Sequence, residues 1–291
     1  MIKVALLPQG SVSDEAAQYL FTDTSVELHY HKLISDVFLS TANGETDYSV
    51  IPIENTIEGS VSLHMDWIVH EVDLPIQAEW VYPSIQNLIG RKEEFAGEDQ
   101  QTEYGKIVKV LSHPVAMAQC LQYIREHLPH AELEHVSSTA EAVKIVREHP
   151  GQGWAAIGTM AAAANNKLDI LQKSVTDHDN NYTRFLLVGE KPLDFRASDE
   201  RKTSLQITLP EDYPGALHQV LSAFAWRRIN LSRIESRPTK KKLGNYYFVI
   251  EIEMSLDTVL LPAAIAEIEA LGCQVRILGS YPKFKYAVPT D

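Results

Sequence analysis

Short apolar runs alternate with amphipathic helical stretches over residues 3–188, and this alternation constrains the fold more than any other feature. The runs that read as strands are KVALLP, YSVIPI, KIVKVLS, AELEHV, GWAAIG and RFLLVG. Helices are predicted near residues 13–21, 59–70, 114–128 and 138–148. Such alternation is typical of α/β architecture with largely parallel sheets, whose ligand sites lie at the carboxyl ends of the strands.

A different pattern begins after residue 202. Residues 190–202 mix charge with proline and lose periodicity, so they are predicted to be a linker. Strand, helix, strand, strand, helix and strand patterns then follow over residues 203–282. This βαββαβ order predicts a ferredoxin-like domain with an antiparallel sheet and its helices on one face. The expected division is therefore an α/β domain at 1–189, the linker, the second domain and a tail at 283–291.

The charge balance and the cysteines exclude several classes of protein. The 291 residues include 26 Lys and Arg against 39 Asp and Glu, for a net charge of -13, so a broad basic footprint for nucleic acid is absent. No window has the length and apolarity of a signal peptide or a membrane span. Cys120 and Cys273 are far apart and predict two buried thiols, which suits a reducing compartment. We expect a cytoplasmic protein that binds neither nucleic acid nor membrane.

Hydroxyl residues stand where four of the helices are predicted to begin. They are Ser11 or Ser13, Ser60, Ser112 (with Pro114 in the first turn) and Ser138 (with Glu141 completing a capping box). One interpretation is that these are ordinary helix caps. The other is that several helix N-termini converge on a cleft and offer amide and hydroxyl donors to carboxylates.

Common catalytic chemistries are not supported by the motifs. The sequence has no GxSxG, no GxGxxG after a strand, no P-loop lysine and no CxxC pair. His29 and His31 would share one face of a strand, but no second cluster has metal-ligand spacing. No metal is therefore expected. Two polar segments remain beside strongly apolar sequence, IPIENTIEGSV at 51–61 and NNYTRF at 180–185. Together they indicate a neutral site of hydroxyls and amides served by one arginine.

These segments carry a resemblance to a known family. Over residues 3–188 and 203–282 the chain resembles the prephenate dehydratases that have a C-terminal ACT regulatory domain. The shared motifs are PIENTIEGSV, SHPVAMAQC, STAEA and NNYTRF preceded by Asp177, then KTSLQI, PGAL, NLSRIESRP and GSYP. Two departures stand out. The chain reads LPQGSVS, with Leu7 and Val12, where the family usually has Gly-Pro-x-Gly-Thr-Phe-Ser. Gln86 replaces a common histidine, so no role is transferred to that position.

The resemblance implies a reaction and an architecture. The family converts prephenate to phenylpyruvate, water and carbon dioxide without a cofactor, in phenylalanine biosynthesis. Its catalytic domain consists of two α/β lobes like a type II periplasmic binding protein, with the substrate between the lobes and chain crossings near residues 80 and 175. A homodimer or homotetramer is expected. Two alternatives remain open, an arogenate dehydratase and a non-catalytic amino-acid sensor.

Matching the family motifs residue by residue gives the expected sites. Thr183 would donate to the departing hydroxyl, and Arg184 would bind a carboxylate of prephenate, more plausibly that of the pyruvyl side chain. The other expected substrate-binding residues are Ser11, Asn55, Ser60, Asn181 and Phe185, the last also expected to pack as core. Phenylalanine, the expected allosteric effector, would bind between two ACT domains. Its expected residues are Gly215, Ala216, Leu217, Asn230, Leu231, Glu235, Ser236, Arg237 and Pro238.

Overall fold

The computed structural model describes residues 1–97, 102–192, 198–211, 213–238 and 246–287. Its strands are β1 (Ile2–Leu6), β2 (Val26–Tyr30), β3 (Tyr48–Asn55), β4 (Gly59–Ser60), β5 (Ile76–Pro83), β6 (Asn87–Gly90), β7 (Lys109–Ser112), β8 (Glu132–His135), β9 (Trp154–Gly158), β10 (Asp169–Gln172), β11 (Tyr182–Val188), β12 (Arg201–Thr208), β13 (Leu231–Pro238), β14 (Tyr246–Ile252) and β15 (Gln274–Phe284). Its α-helices are α1 (Val12–Leu20), α2 (Ile34–Ala42), α3 (Ser62–Asp66), α4 (Lys92–Phe95), α5 (Pro114–Ala118), α6 (Leu121–His127), α7 (Thr139–Glu148), α8 (Met160–Asn166), α9 (Ala216–Ala225) and α10 (Leu260–Ala270). A π-helical turn covers Trp67–Glu71 and a 3-10 turn covers Tyr104–Lys106.

The α/β class is confirmed, and so is the βαββαβ order, which runs β12, α9, β13, β14, α10, β15. Part of the predicted linker, at 193–197, and the end of the predicted tail, at 288–291, lie outside the described residues. Both cysteines are buried free thiols, as predicted, and burial raises the pKa of each. Across the described ranges, no helix combines the length and apolarity needed to cross a membrane.

The chain divides into two compact units that are discontinuous in sequence. The first comprises Met1–Val37, Val50–Val61 and Val81–Phe185. The second comprises Phe38–Ser49, Ser62–Trp80 and Leu186–Asp291. The C-terminal βαββαβ region thus shares a unit with two earlier segments of the chain. A parallel pairing of β15 with β5, through Phe284 and Trp80, is one contact that joins them.

The first unit contains parallel and antiparallel strand pairs. β1 pairs in parallel with β2, and β7 pairs in parallel with both β8 and β9. The strands β7, β8 and β9 belong to a five-stranded sheet with the order β10, β6, β9, β7, β8. In this sheet β6 is antiparallel to β9, and β10 is antiparallel to β6. The expectation of largely parallel sheets holds for β7 to β9 but fails for β6 and β10, which sequence analysis did not predict. Helix α7 covers one face, where Val143 and Val146 pack with Ile89 and Leu111.

Two of the four expected helix caps are confirmed. Ser11 begins α1, and its hydroxyl accepts a hydrogen bond from the Asp14 amide at 3.3 Å. Ser138 begins α7 and accepts from the Glu141 amide at 3.0 Å. The Glu141 carboxylate binds the amide of Ser137, one residue before the cap, rather than that of Ser138. These two serines thus act as ordinary caps, as the first of the two interpretations held.

The other two predicted caps are wrong. Ser60 lies in β4, which pairs with the end of β3, and α3 begins only at Ser62. The Ser112 hydroxyl donates instead to the Ile157 carbonyl at 2.9 Å. The ring of His113 takes the cap position, since its Nδ1 accepts from the Val115 amide at 3.3 Å. Burial lowers the pKa of His113, which favours the neutral ring that this bond requires.

The sheet formed by β12 to β15 has two chemically different faces. One face is apolar and packs on α9 and α10, with Ile207, Phe248 and Ile250 among its core residues. Residues on the other face include Lys202 and Glu251, which are 5% and 2% exposed. Burying such charges is costly unless they are paired.

Ion pairs satisfy the charges on this second face. Lys202 Nζ lies 2.9 Å from Glu79 Oε1 and 3.3 Å from Glu251 Oε2. Arg233 continues the network, with Glu251 at 3.5 Å and Glu235 at 2.6 Å. Glu79 belongs to the segment Ser62–Trp80, so the network joins this segment to the C-terminal sheet within the second unit.

Candidate active site

The turn after β3 fixes the orientation of the Asn55 side chain. Its Oδ1 accepts from the amides of Ile57 and Glu58, at 2.9 and 3.1 Å. Gly59 completes the turn with a φ of 81°, a left-handed conformation that favours glycine. Because two backbone donors occupy Oδ1, the amide nitrogen of Asn55 must point the other way, toward β11.

Thr183 lies at the start of β11 and receives that amide. Asn55 Nδ2 donates to Thr183 Oγ1 at 3.0 Å. The Ser84 hydroxyl lies 2.6 Å from the same oxygen. Residues separated by 128 and 99 positions in sequence therefore meet at one hydroxyl. The expectation that the ENTIEGS and NYTRF segments come together is met at Asn55 and Thr183.

Asn181 holds both neighbours of Thr183. Its Oδ1 accepts from Asn55 Nδ2 at 2.8 Å, and its Nδ2 donates to the Ser84 carbonyl at 3.0 Å and to Gln119 Oε1 at 2.8 Å. The Ser84 amide in turn donates to the Asn181 carbonyl at 2.8 Å. Asn55 and Asn181, both predicted to bind substrate, thus direct their amide donors to the protein itself. These contacts hold Thr183 and its neighbours in place, and binding of substrate by either residue stays a prediction.

Asp177 anchors the segment that leads into β11. Its carboxylate accepts from the amides of Gln122 and Tyr123, at 2.9 and 3.1 Å, near the start of α6. The single helix predicted over 114–128 is therefore two helices, α5 and α6. The Asp177 carboxylate accepts hydrogen bonds from amides in the first turn of α6, which have no acceptor within the helix. The Asp177 amide donates to the Gln119 carbonyl at 2.8 Å.

Arg184 is paired with Glu54. Its Nε and Nη2 lie 2.9 and 2.8 Å from Glu54 Oε2. The arginine side chain is 11% exposed, whereas that of Glu54 is 42% exposed. Sequence analysis placed both residues in the polar segments but did not predict that they pair. The carboxylate compensates the positive charge of the guanidinium.

Three other predicted site residues have different surroundings. Phe185 has 0% exposed surface and packs as core, as also expected, whereas its contact with substrate stays a prediction. Ser60 is exposed in β4. Ser11 caps α1 beside Gly10, whose carbonyl accepts from the Thr159 hydroxyl at 2.7 Å. A Cβ on Gly10 would lie 2.9 Å from Ala162 Cα, so this loop packs directly on the start of α8.

Sequence reasoning missed Ser84 and Gln119, which belong to the same cluster. Ser84 is 3% exposed and Gln119 is 8% exposed. Ser84 lies in PSIQN between β5 and β6, neither of which was predicted, so nothing in its immediate sequence indicated a partner. Gln119 lies in the quoted SHPVAMAQC motif, at the end of α5. No group of three or more metal-ligating side chains lies together among the residues placed by the structure.

The start of α9 carries the first group of predicted regulatory residues. Gly215 is the N-cap, with a φ of 93° and no side-chain cap bond. Ala216 and Leu217 form the first turn of the helix. Asn230 donates to Glu253 Oε2 at 3.4 Å, and Leu231 packs against the apolar core of this sheet. These five residues belong to the side of the sheet that α9 covers or to its rim.

Glu235 and Arg237 lie on the other sheet face. Their partners in β14 are Val249 and Tyr247, which alternate with the core residues packed under α9. The Arg237 guanidinium contacts Asp66 of α3, with Nη2 at 2.8 Å from Oδ1. Glu235 Oε1 accepts from the Ser62 hydroxyl at 3.5 Å. Within one subunit, these two side chains therefore contact α3 rather than the start of α9. Ser236 and Pro238 alternate with them and are exposed.

Fold and site together define an α/β domain with a candidate site of hydroxyls and carboxamides, followed by a domain of ferredoxin-like βαββαβ order. The family model described as prephenate dehydratase matches residues 4–193, and the ACT domain model matches residues 203–272. The chain therefore belongs to the prephenate dehydratase family.

Individual relatives agree with this assignment. A prephenate dehydratase from Bacillus subtilis is 37% identical over 98% of this chain and 100% of its own length. A crystal structure of a prephenate dehydratase from Arthrobacter aurescens in complex with L-Phe aligns with a TM-score of 0.84 and 31% identity, covering 97% of this chain and 90% of the other. A quorum-quenching acylase also aligns, with a TM-score of 0.83 at 24% identity over 97% and 98% of the two chains. That last match shows the fold alone, so the reaction must be argued from the site.

Proposed function

We propose that this chain converts prephenate to phenylpyruvate, water and carbon dioxide. The observation that carries this proposal is the hydroxyl of Thr183, held by Asn55 and Ser84. Arg184 follows it in sequence, and Glu54 compensates its charge. The surrounding polar groups are hydroxyls and carboxamides. These uncharged groups suit a reaction that needs a hydrogen-bond donor more than it needs a strong electrostatic field.

The chemistry explains why such an inventory suffices. The ring carboxylate leaves as carbon dioxide, and its electrons enter the ring while the ring hydroxyl departs. Hydroxide is a poor leaving group, so a proton or a strong hydrogen bond must reach that oxygen in the transition state. A cation bound tightly to the departing carboxylate would stabilise the ground state and oppose decarboxylation. The product ring is aromatic, which supplies the driving force.

Thr183 is assigned as the donor to the departing hydroxyl. A threonine hydroxyl is too weak an acid to give up its proton unaided, so its role is to stabilise the developing charge or to relay a proton. Its backbone is fixed at the start of β11, and its oxygen is fixed by Asn55 and Ser84. Such preorganised donors are effective because they need no rearrangement during the reaction.

Arg184 is assigned to the carboxylate of the pyruvyl side chain, which does not leave. Glu54 already binds Nε and Nη2 through a single oxygen. Substrate would therefore meet an oriented guanidinium whose charge Glu54 largely compensates. Such a pair binds an anion through directed hydrogen bonds more than through a long-range electric field. It therefore attracts the ring carboxylate of prephenate, which must leave, only weakly.

Replacing Thr183 by alanine tests the donor role. We expect kcat to fall by about 10² to 10⁴ with little change in KM, because the lost bond is made mainly in the transition state. Phenylpyruvate formation followed by ultraviolet absorbance measures both constants. A kcat equal to that of the wild type would remove Thr183 from the chemistry.

Replacing Arg184 by lysine tests the anchoring role. We expect KM to rise about tenfold or more, since an ammonium cannot reproduce the guanidinium geometry. Arg147→Lys is the control, because Arg147 is 43% exposed and pairs with its neighbour Glu148. If KM and kcat of Arg184→Lys both match those of the control, substrate is anchored elsewhere.

Control by phenylalanine at the ACT domain is part of the proposal. The Arthrobacter aurescens relative was crystallised with L-Phe. In this chain the first turn of α9 has no side-chain cap, and we propose that the amides of Gly215 and Leu217 bind an amino-acid carboxylate there, since the Ala216 amide donates to the Tyr213 carbonyl at 3.0 Å. Asn230 and Leu231 would contribute to the same pocket between two subunits. A homodimer or homotetramer and a cytoplasmic location complete the proposal.

The contacts of Arg237 suggest how such binding could affect catalysis. Arg237 binds Asp66 of α3 on the face of the sheet away from α9. Helix α3 directly follows the turn at 55–61, which orients Asn55 toward Thr183. A shift of β13 would therefore pull on the segment that holds the catalytic hydroxyl. The coupling requires that phenylalanine bind one position of β13 more tightly than another.

Replacing Asp66 by asparagine tests this route. Allosteric coupling typically changes affinity by about 5- to 150-fold, and we expect the Asp66→Asn enzyme to lose most of its response to phenylalanine. Asp73→Asn is the matched control, because Asp73 lies in the same segment and pairs with Arg276 but is 96% exposed. Activity measured against phenylalanine concentration gives the result. An equal response in both variants would exclude the Asp66 contact as the route.

The two alternatives predict different outcomes. An arogenate dehydratase would turn over the aminated substrate faster than prephenate when both are assayed in parallel. A non-catalytic sensor would bind an amino acid but release no phenylpyruvate. The preorganised donors around Thr183 argue against the sensor, since binding alone does not require a hydroxyl held in this way.

A further inference from the structure

We infer that Ser84 is a positioning residue that directs the single proton of Thr183 toward the substrate. The inference rests on the proposed function, in which Thr183 donates to the departing hydroxyl. Three observations support it: the 2.6 Å distance between the two hydroxyl oxygens, the bond from Asn55 to the same threonine oxygen, and the different exposure of the two hydroxyl residues.

A hydroxyl group has one proton and two acceptor positions. Asn55 Nδ2 can only donate, so it fills one acceptor position of Thr183 Oγ1. The bond with Ser84 then has two possible directions. If Thr183 donates to Ser84, its proton is bound inside the protein. If Ser84 donates to Thr183, both acceptor positions are filled, and the threonine proton is left for a third partner.

Burial decides between the two directions. Ser84 is 3% exposed, and its backbone is held on both sides by Asn181. Thr183 is only partly buried. A proton passed to Ser84 would therefore reach a hydroxyl with almost no surface for a ligand. A proton kept by Thr183 is on the residue that a ligand can reach, so Ser84 is the donor and Thr183 the acceptor.

This arrangement also affects the strength of the donor. Hydrogen bonds in a chain polarise one another, so a hydroxyl that accepts two bonds donates a stronger one. The Thr183 proton should thus stabilise the developing charge on the departing oxygen better than an isolated threonine would. The benefit arises in the transition state, and Ser84 is expected to affect kcat more than KM.

A double-mutant cycle tests the inference. In the wild-type background, Ser84→Ala should lower kcat about tenfold and change KM by less than about twofold, since a single hydrogen bond is lost. In a Thr183→Ala background the same substitution should change kcat by less than about twofold, because the residue through which Ser84 acts is absent. Equal fold losses in both backgrounds would overturn the inference, and so would an unchanged kcat for Ser84→Ala alone.

A matched control separates positioning from stability. Ser49 is 0% exposed and forms a 2.6 Å hydrogen bond with Thr41, so Ser49→Ala removes a buried serine–threonine bond of the same length. We expect Ser49→Ala to lower the melting temperature without lowering kcat, and a similar fall in kcat for both variants would overturn the inference. If Ser84→Ala does not fold, Ser84→Cys keeps the side-chain volume but offers only a weak donor, and it should show the same background dependence.

The outcome for Ser84 can be distinguished from failure of the proposed function. Turnover of prephenate by the wild-type chain tests the function. If the wild type makes phenylpyruvate while the Ser84 substitution is silent, only the positioning role is lost.

Discussion

The structure of the site depends on the orientation of one side-chain amide. Asn55 presents its nitrogen to Thr183 because its oxygen is bound by two backbone amides of the turn at 55–58. The hydrogen bonds continue from Asn55 to Asn181 and from Asn181 to Gln119, and each side-chain amide fixes the orientation of the next. Buried polar networks are costly when partly satisfied and rigid when fully satisfied. Here the network ends at the partly buried hydroxyl of Thr183.

In both units of the chain, an acidic side chain neutralises a partly buried arginine. Arg184 is compensated by Glu54, and Arg237 by Asp66. In the first case compensation leaves directed donors without a strong field, which suits a reaction that must release a carboxylate. In the second case it joins the C-terminal sheet to α3 within one unit. Residues 54–66 include Glu54, Asn55 and Asp66, so one continuous segment contacts both the candidate active-site residues of β11 and Arg237 of the C-terminal sheet.

Much of the fold could be predicted because strand and helix patterns with clear periodicity dominate the sequence. Helices α1 and α7 and the whole βαββαβ region follow their patterns. β2 and β6 were missed, since β2 has no buried residue and carries Glu27 and His29 within five residues, and β6 has only four residues. For the site, the motifs indicated Thr183, Arg184 and Asn55. The Glu54 pair and the bond to Ser84 could not be predicted, because contacts across 130 and 99 positions depend on tertiary packing and not on sequence spacing.

The central claim is that the site around the Thr183 hydroxyl dehydrates and decarboxylates prephenate. The most direct measurement is product release by the purified full chain in two separate reactions, with no metal or cofactor added: phenylpyruvate from prephenate, followed by ultraviolet absorbance, and phenylalanine from arogenate, followed by chromatography. The account predicts rapid phenylpyruvate formation from prephenate, persisting in the presence of a metal chelator. A folded chain that releases no phenylpyruvate, or that acts faster on arogenate than on prephenate, would contradict it.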